Sequence, residues 1–249
     1  MRILVCKNYK ELSKKAAQMI LSQITLKPNS VIGFATGSTP IGMYKELVNM
    51  YCLGLLDFSE VTTFNLDEYY NLPSENNQSY SYYMFNNLFN HINIKKENIN
   101  IPNSMCENIE LECSNYDNKI SQCGGIDMQI LGIGHNAHIG FNEPTLNFEL
   151  GAHLVNLRQS TINANSRFFD SIDDVPKKAI TMGTGSIFKA KKIILLANGL
   201  GKADAIYDTV YGKVTPEVPA SILQFHDDVV LILDTEAASK LESKDYKLI

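Results

Sequence analysis

The chain predicts an α/β fold: one doubly wound, mainly parallel sheet with flanking helices and a lid-like insertion. Three observations predict it. Short apolar runs rich in β-branched residues recur along 249 residues, segments of helical length lie between them, and glycine-bearing turns follow several of the runs.

The expected strands are Ile3 to Val5, Val31 to Phe34, Val61 to Phe64, Ile126 to Ile130, Ile193 to Leu196 and Val229 to Leu233. Their continuous apolar character suits strands covered on both faces, which parallel sheets require. Leu12 to Ser22, Ile41 to Met50, Tyr80 to Leu88 and Ala203 to Tyr211 supply helical crossovers. Asn90 to Gln122 reads as a polar, asparagine-rich surface excursion with a short strand or turn near Ile99 to Pro102. Asn142 to about Pro176, containing Leu154-Val-Asn-Leu157, reads as a lid or hairpin over the strand ends. With no tandem repeat and no flexible linker, one domain over 1–249 is expected.

Composition narrows the function. A formal charge of −5 and a pI near 5.6 argue against broad attraction to nucleic acid and leave room for a local basic pocket. Five cysteines without CxxC spacing read as free thiols used in packing. No run approaches the length of a membrane span, so a cytoplasmic protein without membrane partners is expected. The methionines and the Tyr80 to Phe89 aromatics show no cofactor pattern and read as packing residues.

In open α/β sheets ligands gather beyond the carboxyl ends of strands. Four turns are expected there: Gly33 to Pro40, Asn65 to Tyr70, Gly132 to Glu143 and Ala197 to Lys202. In the first, Gly37, Ser38 and Thr39 precede a helix and offer amides and hydroxyls to an anion, although the Walker lysine is missing and a capped structural turn has the same composition. In the second, Asp67 can take a proton and Glu68 can point aside or hold the turn; a helix cap is the competing reading. In the third, His138 exchanges protons near neutral pH, with Glu143 and Asn136 placed to fix its tautomer or charge. His135 reads as a satisfied structural histidine. The Gly132 to Ala137 match to a dinucleotide fingerprint is weak in mid-chain, and no HExxH pattern supports zinc. Arg167, beside Phe168 and Phe169, and Lys202, after Gly199 and Gly201, each suit a phosphate or an ordinary ion pair.

Taken together, Gly33-Phe-Ala-Thr-Gly-Ser-Thr-Pro40, Phe64-Asn-Leu-Asp-Glu-Tyr69, Gly132 to Pro144, Ala164-Asn-Ser-Arg-Phe-Phe169 and Gly199 to Ala203 resemble the glucosamine-6-phosphate deaminase family, within the wider isomerase and 6-phosphogluconolactonase superfamily. The resemblance implies conversion of glucosamine 6-phosphate and water to fructose 6-phosphate and ammonia, without an organic cofactor or catalytic metal. It implies that Asp67 is the C2 base and that His138, oriented by Glu143 and Asn136, opens the sugar ring. Gly37, Ser38, Thr39, Arg167 and Lys202 are implied as the phosphate-binding set. Many family members carry Asp where this chain has Asn136, which leaves Glu143 as the anion beside His138. Regulated members hold an N-acetylglucosamine 6-phosphate effector with basic residues after the Asn-Glu-Pro segment; here His153 and Val155 stand there, so little activation is expected. Monomer and homo-oligomer both stay open. The alternatives are a lactone hydrolase on the same scaffold and a noncatalytic sugar-phosphate sensor.

Overall fold

From Val229 to Leu233 every side chain is buried, and alternate ones go to opposite faces of the sheet. Val229, Leu231 and Leu233 join one core, whereas Val230 and Ile232 join another. This period-two alternation, apolar in both phases, is what makes the run a strand with no solvent face. Burial of each such side chain contributes roughly 1.5–3 kcal/mol.

The computed structural model describes residues 1–249, the side chain of Phe168 excepted. The chain runs β1 (Arg2–Cys6), α1 (Tyr9–Leu26), β2 (Val31–Phe34), α2 (Ile41–Cys52), β3 (Thr62–Asn65), β4 (Asp67–Tyr69), α3 (Tyr80–Asn87), β5 (Ile99–Asn100) and α4 (Ile109–Gln122). It continues with β6 (Met128–Leu131), β7 (His153–Asn156), α5 (Gln159–Asn165), β8 (Lys178–Thr181), α6 (Thr184–Phe188), β9 (Ile193–Ala197), α7 (Ala203–Tyr211), β10 (Val229–Asp234) and β11 (Lys247–Leu248). All six expected strands and all four expected helices are present, with ends displaced by a few residues.

Eight strands form one sheet in the order β11-β1-β10-β9-β6-β2-β3-β5, and its ladders are parallel. Helices α1, α2 and α3 cover one face with Leu12, Ile20, Tyr44, Leu47 and Met84; α4, α6 and α7 cover the other with Tyr116, Ile120, Ile187 and Ile206. From β2 the chain moves outward through β3 to β5; it then returns to β6 and moves the other way through β9 and β10. Order therefore reverses between β2 and β6, which opens a crevice at their carboxyl ends.

Two expectations need correction. The Asn90 to Gln122 stretch is not merely a surface excursion: beside the anticipated short strand β5 it holds α4, capped by the Asn108 side chain and turned inward through Cys113, Tyr116 and Ile120. Those positions keep one helical face apolar although the segment as a whole is polar. The Asn65 to Tyr70 segment is not only a turn either, since Asp67–Tyr69 is a strand. It pairs antiparallel with β8, and β8 with β7, to give a second sheet of order β4-β8-β7. The Asn142 to Pro176 region accordingly contributes β7 and α5 to this sheet and its cover.

The Tyr116 hydroxyl donates to the carbonyls of Asn65, at 2.7 Å, and Asn100, at 3.1 Å, and so ties α4 to the ends of β3 and β5. Tyr116→Phe is expected to lower unfolding stability by about 1–2 kcal/mol, measured as a lower urea midpoint at unchanged slope.

Candidate active site

A cavity of about 410 Å³ fills the crevice, and all four glycine-bearing or acidic turns contribute to it. Gly37, Ser38 and Thr39 come from the β2 turn and Asp67 from the start of β4. Asn136 and His138 come from the turn after β6, Arg167 from the segment after α5, and Asn198 and Lys202 from the turn after β9. Glu143 sits behind His138.

The β2 turn is held from outside. Tyr83 on α3 donates its hydroxyl to the Gly37 carbonyl at 2.6 Å, and Tyr9 on α1 donates to the carbonyl of Thr39 at 3.0 Å. Gly37 has φ +95°, a left-handed conformation that favours glycine. The turn leads directly into α2, whose amino-terminal dipole favours an anion. Thr39 donates its hydroxyl to the Asn198 side chain at 2.8 Å, joining this turn to the one that carries Lys202. The second turn is steadied by Asp234, whose carboxylate accepts the Gly199 amide.

One end of the cavity is crowded with cationic groups. Burial and the nearby Arg167 guanidinium push the Lys202 ammonium down to about 8. The Lys202 charge, followed by burial and Arg167, lowers His135 as well. His135 is therefore not the satisfied structural histidine expected from the sequence. It is an exposed ring on the cavity wall, and a Cβ at Gly201 would stand 3.2 Å from its Nε2. Such mutual repulsion is relieved when a multivalent anion enters.

Asp67 and His138 line the same cavity. Asp67 is 5% exposed; burial, and then the charge of adjacent Glu68, push its carboxyl up to about 8. The strand pleat turns Asp67 toward the cavity and Glu68 away from it, so the two do not act as a pair on one atom. The His138 turn is tightly wound: the Gly134 amide donates to the His138 carbonyl at 2.9 Å, and Ala137 has φ +62°. A Cβ at Gly134 would lie 2.4 Å from the imidazole, so only glycine lets the ring lie flat against the turn.

His138 Nδ1 is 3.6 Å from Glu143 Oε2, within ion-pair reach but longer than a hydrogen bond. Because this edge is buried against Gly134 and Glu143, Nε2 is the edge turned to the cavity. Burial alone would raise Glu143; the His138 imidazole, the Thr161 hydroxyl and the Asn136 amide more than offset it and bring the carboxyl down to about 2. Asn136 reaches this array through Glu143, donating at 2.7 Å, and through the His138 main-chain amide, not through the imidazole.

Two contributors were not expected at the site. Thr161 on α5 donates its hydroxyl to Glu143, and Tyr80 at the start of α3 lines the cavity. Their signal is weak, because each is an ordinary polar residue brought in from a distant element. Among the described residues, no three His, Cys, Asp or Glu side chains gather as a metal site would require.

An open parallel sheet with an anion-suited turn at its switch point and a shielded carboxylate in the same cavity fits the class of α/β proteins that act on phosphorylated metabolites. Residues 7–232 match the family described as glucosamine-6-phosphate isomerases/6-phosphogluconolactonase, and the chain belongs to that family. It is 68% identical to a glucosamine-6-phosphate deaminase of Clostridium botulinum (strain Eklund 17B) and 62% identical to one of Clostridioides difficile (strain 630), each match covering both chains in full. A solved monomeric glucosamine-6-phosphate deaminase superposes with a TM-score of 0.94 at 44% identity, over 96% of this chain and 99% of that one. The 6-phosphogluconolactonase from Trypanosoma cruzi shares the fold at a TM-score of 0.78 and 21% identity, with 96% of each chain covered.

A buried aspartate that ionises late destabilises the folded state wherever it is charged. Its raised folded value means that the stability advantage of the protonated form, full below the ordinary carboxylate range, is lost as pH rises through about 8. Asp67→Asn is therefore expected to leave the melting temperature unchanged near pH 4 and to raise it by roughly a few degrees at pH 9, read by scanning calorimetry.

Proposed function

We infer that this chain catalyses the conversion of glucosamine 6-phosphate and water to fructose 6-phosphate and ammonia. The observation that carries the reading is a single cavity that holds a cluster of cationic groups together with the shielded Asp67 carboxyl and a His138 backed by the ionised Glu143. The full-length identity to deaminases supports the same substrate.

In the proposed mechanism the sugar phosphate lies with its phosphate against the Gly37 to Thr39 amides and hydroxyls, Arg167 and Lys202. This end supplies affinity and sets the register of the carbon chain. Glu143, kept ionised, favours a proton on His138 Nδ1, so Nε2 can take the O1 proton and return one to the ring oxygen as the pyranose opens. Asp67 then removes the C2 proton to give an enolamine and delivers a proton to C1. The resulting imine at C2 adds water, and the carbinolamine expels ammonia to leave the ketone of fructose 6-phosphate. A carboxylate held away from water is suited to C–H abstraction, since a base tuned near working pH combines proton affinity with availability.

The lactonase alternative needs an activated water and no C2 base, and leaves the shielding of Asp67 without a purpose. Supplying glucosamine 6-phosphate and 6-phosphogluconolactone in parallel separates the readings. Equal amounts of ammonia and fructose 6-phosphate, lost in Asp67→Asn, support the deaminase; lactone hydrolysis without ammonia, or phosphate binding without turnover, overturns it. A cytoplasmic site of action belongs to the same proposal, and all five cysteines are unpaired. Among the described residues, no helix is long and apolar enough to cross a membrane.

His138→Gln is expected to lower kcat/KM on glucosamine 6-phosphate by about 100-fold or more and to lose far less on the 5-deoxy analogue, which cannot close to the pyranose. Equal losses on the two substrates would contradict the division of labour between His138 and Asp67. Inorganic phosphate is expected to inhibit competitively and to weaken as pH rises through about 8, because Lys202 then gives up its proton; inhibition constants across pH 6–10 test this.

A further inference from the structure

Glu68 is 1% exposed and takes no part in the proton transfers above, yet both of its carboxylate oxygens are anchored. Its Oε1 accepts the main-chain amides of Tyr69 and Tyr80, both at 2.9 Å, and its Oε2 accepts that of Ser81 at 2.8 Å. Two of the three donors are the first residues of α3, so a side chain from β4 satisfies helix amides that otherwise lack partners, beside the Ser79 side-chain cap. The same joint places Tyr80, whose ring stacks on Phe141 at a 5.8 Å centroid distance and lines the cavity.

We propose that Glu68 is a positioning residue for the C2 proton transfer, one that locks Tyr80 at the cavity wall and places a fixed negative charge next to the Asp67 carboxylate. The proposal rests on the deaminase reading and deepens it. Three amide donors select the ionised form of Glu68, so of the two carboxyls Glu68 gives up its proton first. Burial still raises Glu68 above the ordinary range, but it has amides to oppose that rise, whereas Asp67 has burial and the Glu68 charge acting in one direction. An Asp67 that binds its proton more tightly is the stronger base toward a C–H bond.

The other titratable groups facing Asp67 are four phenols, Tyr44 on α2, Tyr69 on β4, Tyr80 on α3 and Tyr116 on α4, which burial keeps protonated. His138, Arg167 and Lys202 line the same cavity as Asp67. Glu68 is thus the anionic neighbour whose removal isolates the effect. Glu68→Gln keeps the shape and loses the charge; Glu68→Asp keeps the charge and shortens the reach to α3.

The test is the pH profile of kcat/KM for the full chain, paired with ¹³C NMR titration of the Asp67 carboxyl, which needs no turnover. In Glu68→Gln the rising limb and the Asp67 titration are both expected to move down by about one pH unit. In Glu68→Asp both are expected to stay within a few tenths of wild type while kcat/KM falls. An unmoved Asp67 titration in Glu68→Gln, or an equal shift in both variants, overturns the proposal. Should Glu68→Gln not fold, the wild-type titration decides: two carboxyl transitions with Glu68 first are expected, and Asp67 ionising before Glu68 overturns it. Failure of the wild-type enzyme to release ammonia would instead remove the deaminase reading and leave the titration result standing.

Discussion

The arrangement depends on keeping one carboxylate out of water. An aspartate at that depth costs the folded state several kcal/mol when charged, unless a cation or a set of donors accompanies it. Asp127 shows the accompanied case: buried at the other end of the main sheet, it accepts from Lys27, Lys191 and the Val31 amide, and its carboxyl lies below the ordinary range despite burial. Asp67 is placed oppositely, with Glu68 as its charged neighbour. The small antiparallel sheet makes that possible, because β4 is closed over by β8 and by the aromatic cluster of Tyr69, Tyr80 and Phe141.

The cavity uses electrostatics in two opposite senses. Around Lys202 like charges are brought together, and burial together with those charges lowers Lys202 and His135, a repulsion that an anion relieves. Beside His138, Glu143 is held ionised by an imidazole, a hydroxyl and an amide, and the packing of the Nδ1 edge against Gly134 and Glu143 leaves Nε2 turned to the cavity. Asn136 suffices in that role because it acts on Glu143 as a donor, a task that a carboxylate at position 136 would perform only when protonated. A neutral residue there leaves a single anion beside the imidazole.

Much of the main sheet was legible because its strands are apolar in both phases, a signal that survives without knowledge of partners. The turns were legible for a different reason: glycine, hydroxyl and ionisable residues clustered directly after apolar runs. Asp-Glu-Tyr69 was not legible as a strand, since three residues carry too little alternation and the pairing with β8 spans more than a hundred positions. Helix α4 was hidden by its polar outer face, although Cys113, Tyr116 and Ile120 recur at helical spacing. Thr161 and Tyr80 gained their places from tertiary contact alone. The joint between Glu68 and α3 likewise appears only when the start of one element is laid against the side of another.

In the proposed complex the substrate lies with its phosphate at Lys202 and its C2 at Asp67. A crystal structure with the reduced, ring-open amino-alcohol of glucosamine 6-phosphate tests it most directly. The expected complex has C2 within about 3.5 Å of an Asp67 oxygen and the phosphate on Arg167, Lys202 and the Gly37 to Thr39 turn. A ligand bound with its phosphate toward Glu143, or with C2 facing away from Asp67, would contradict it.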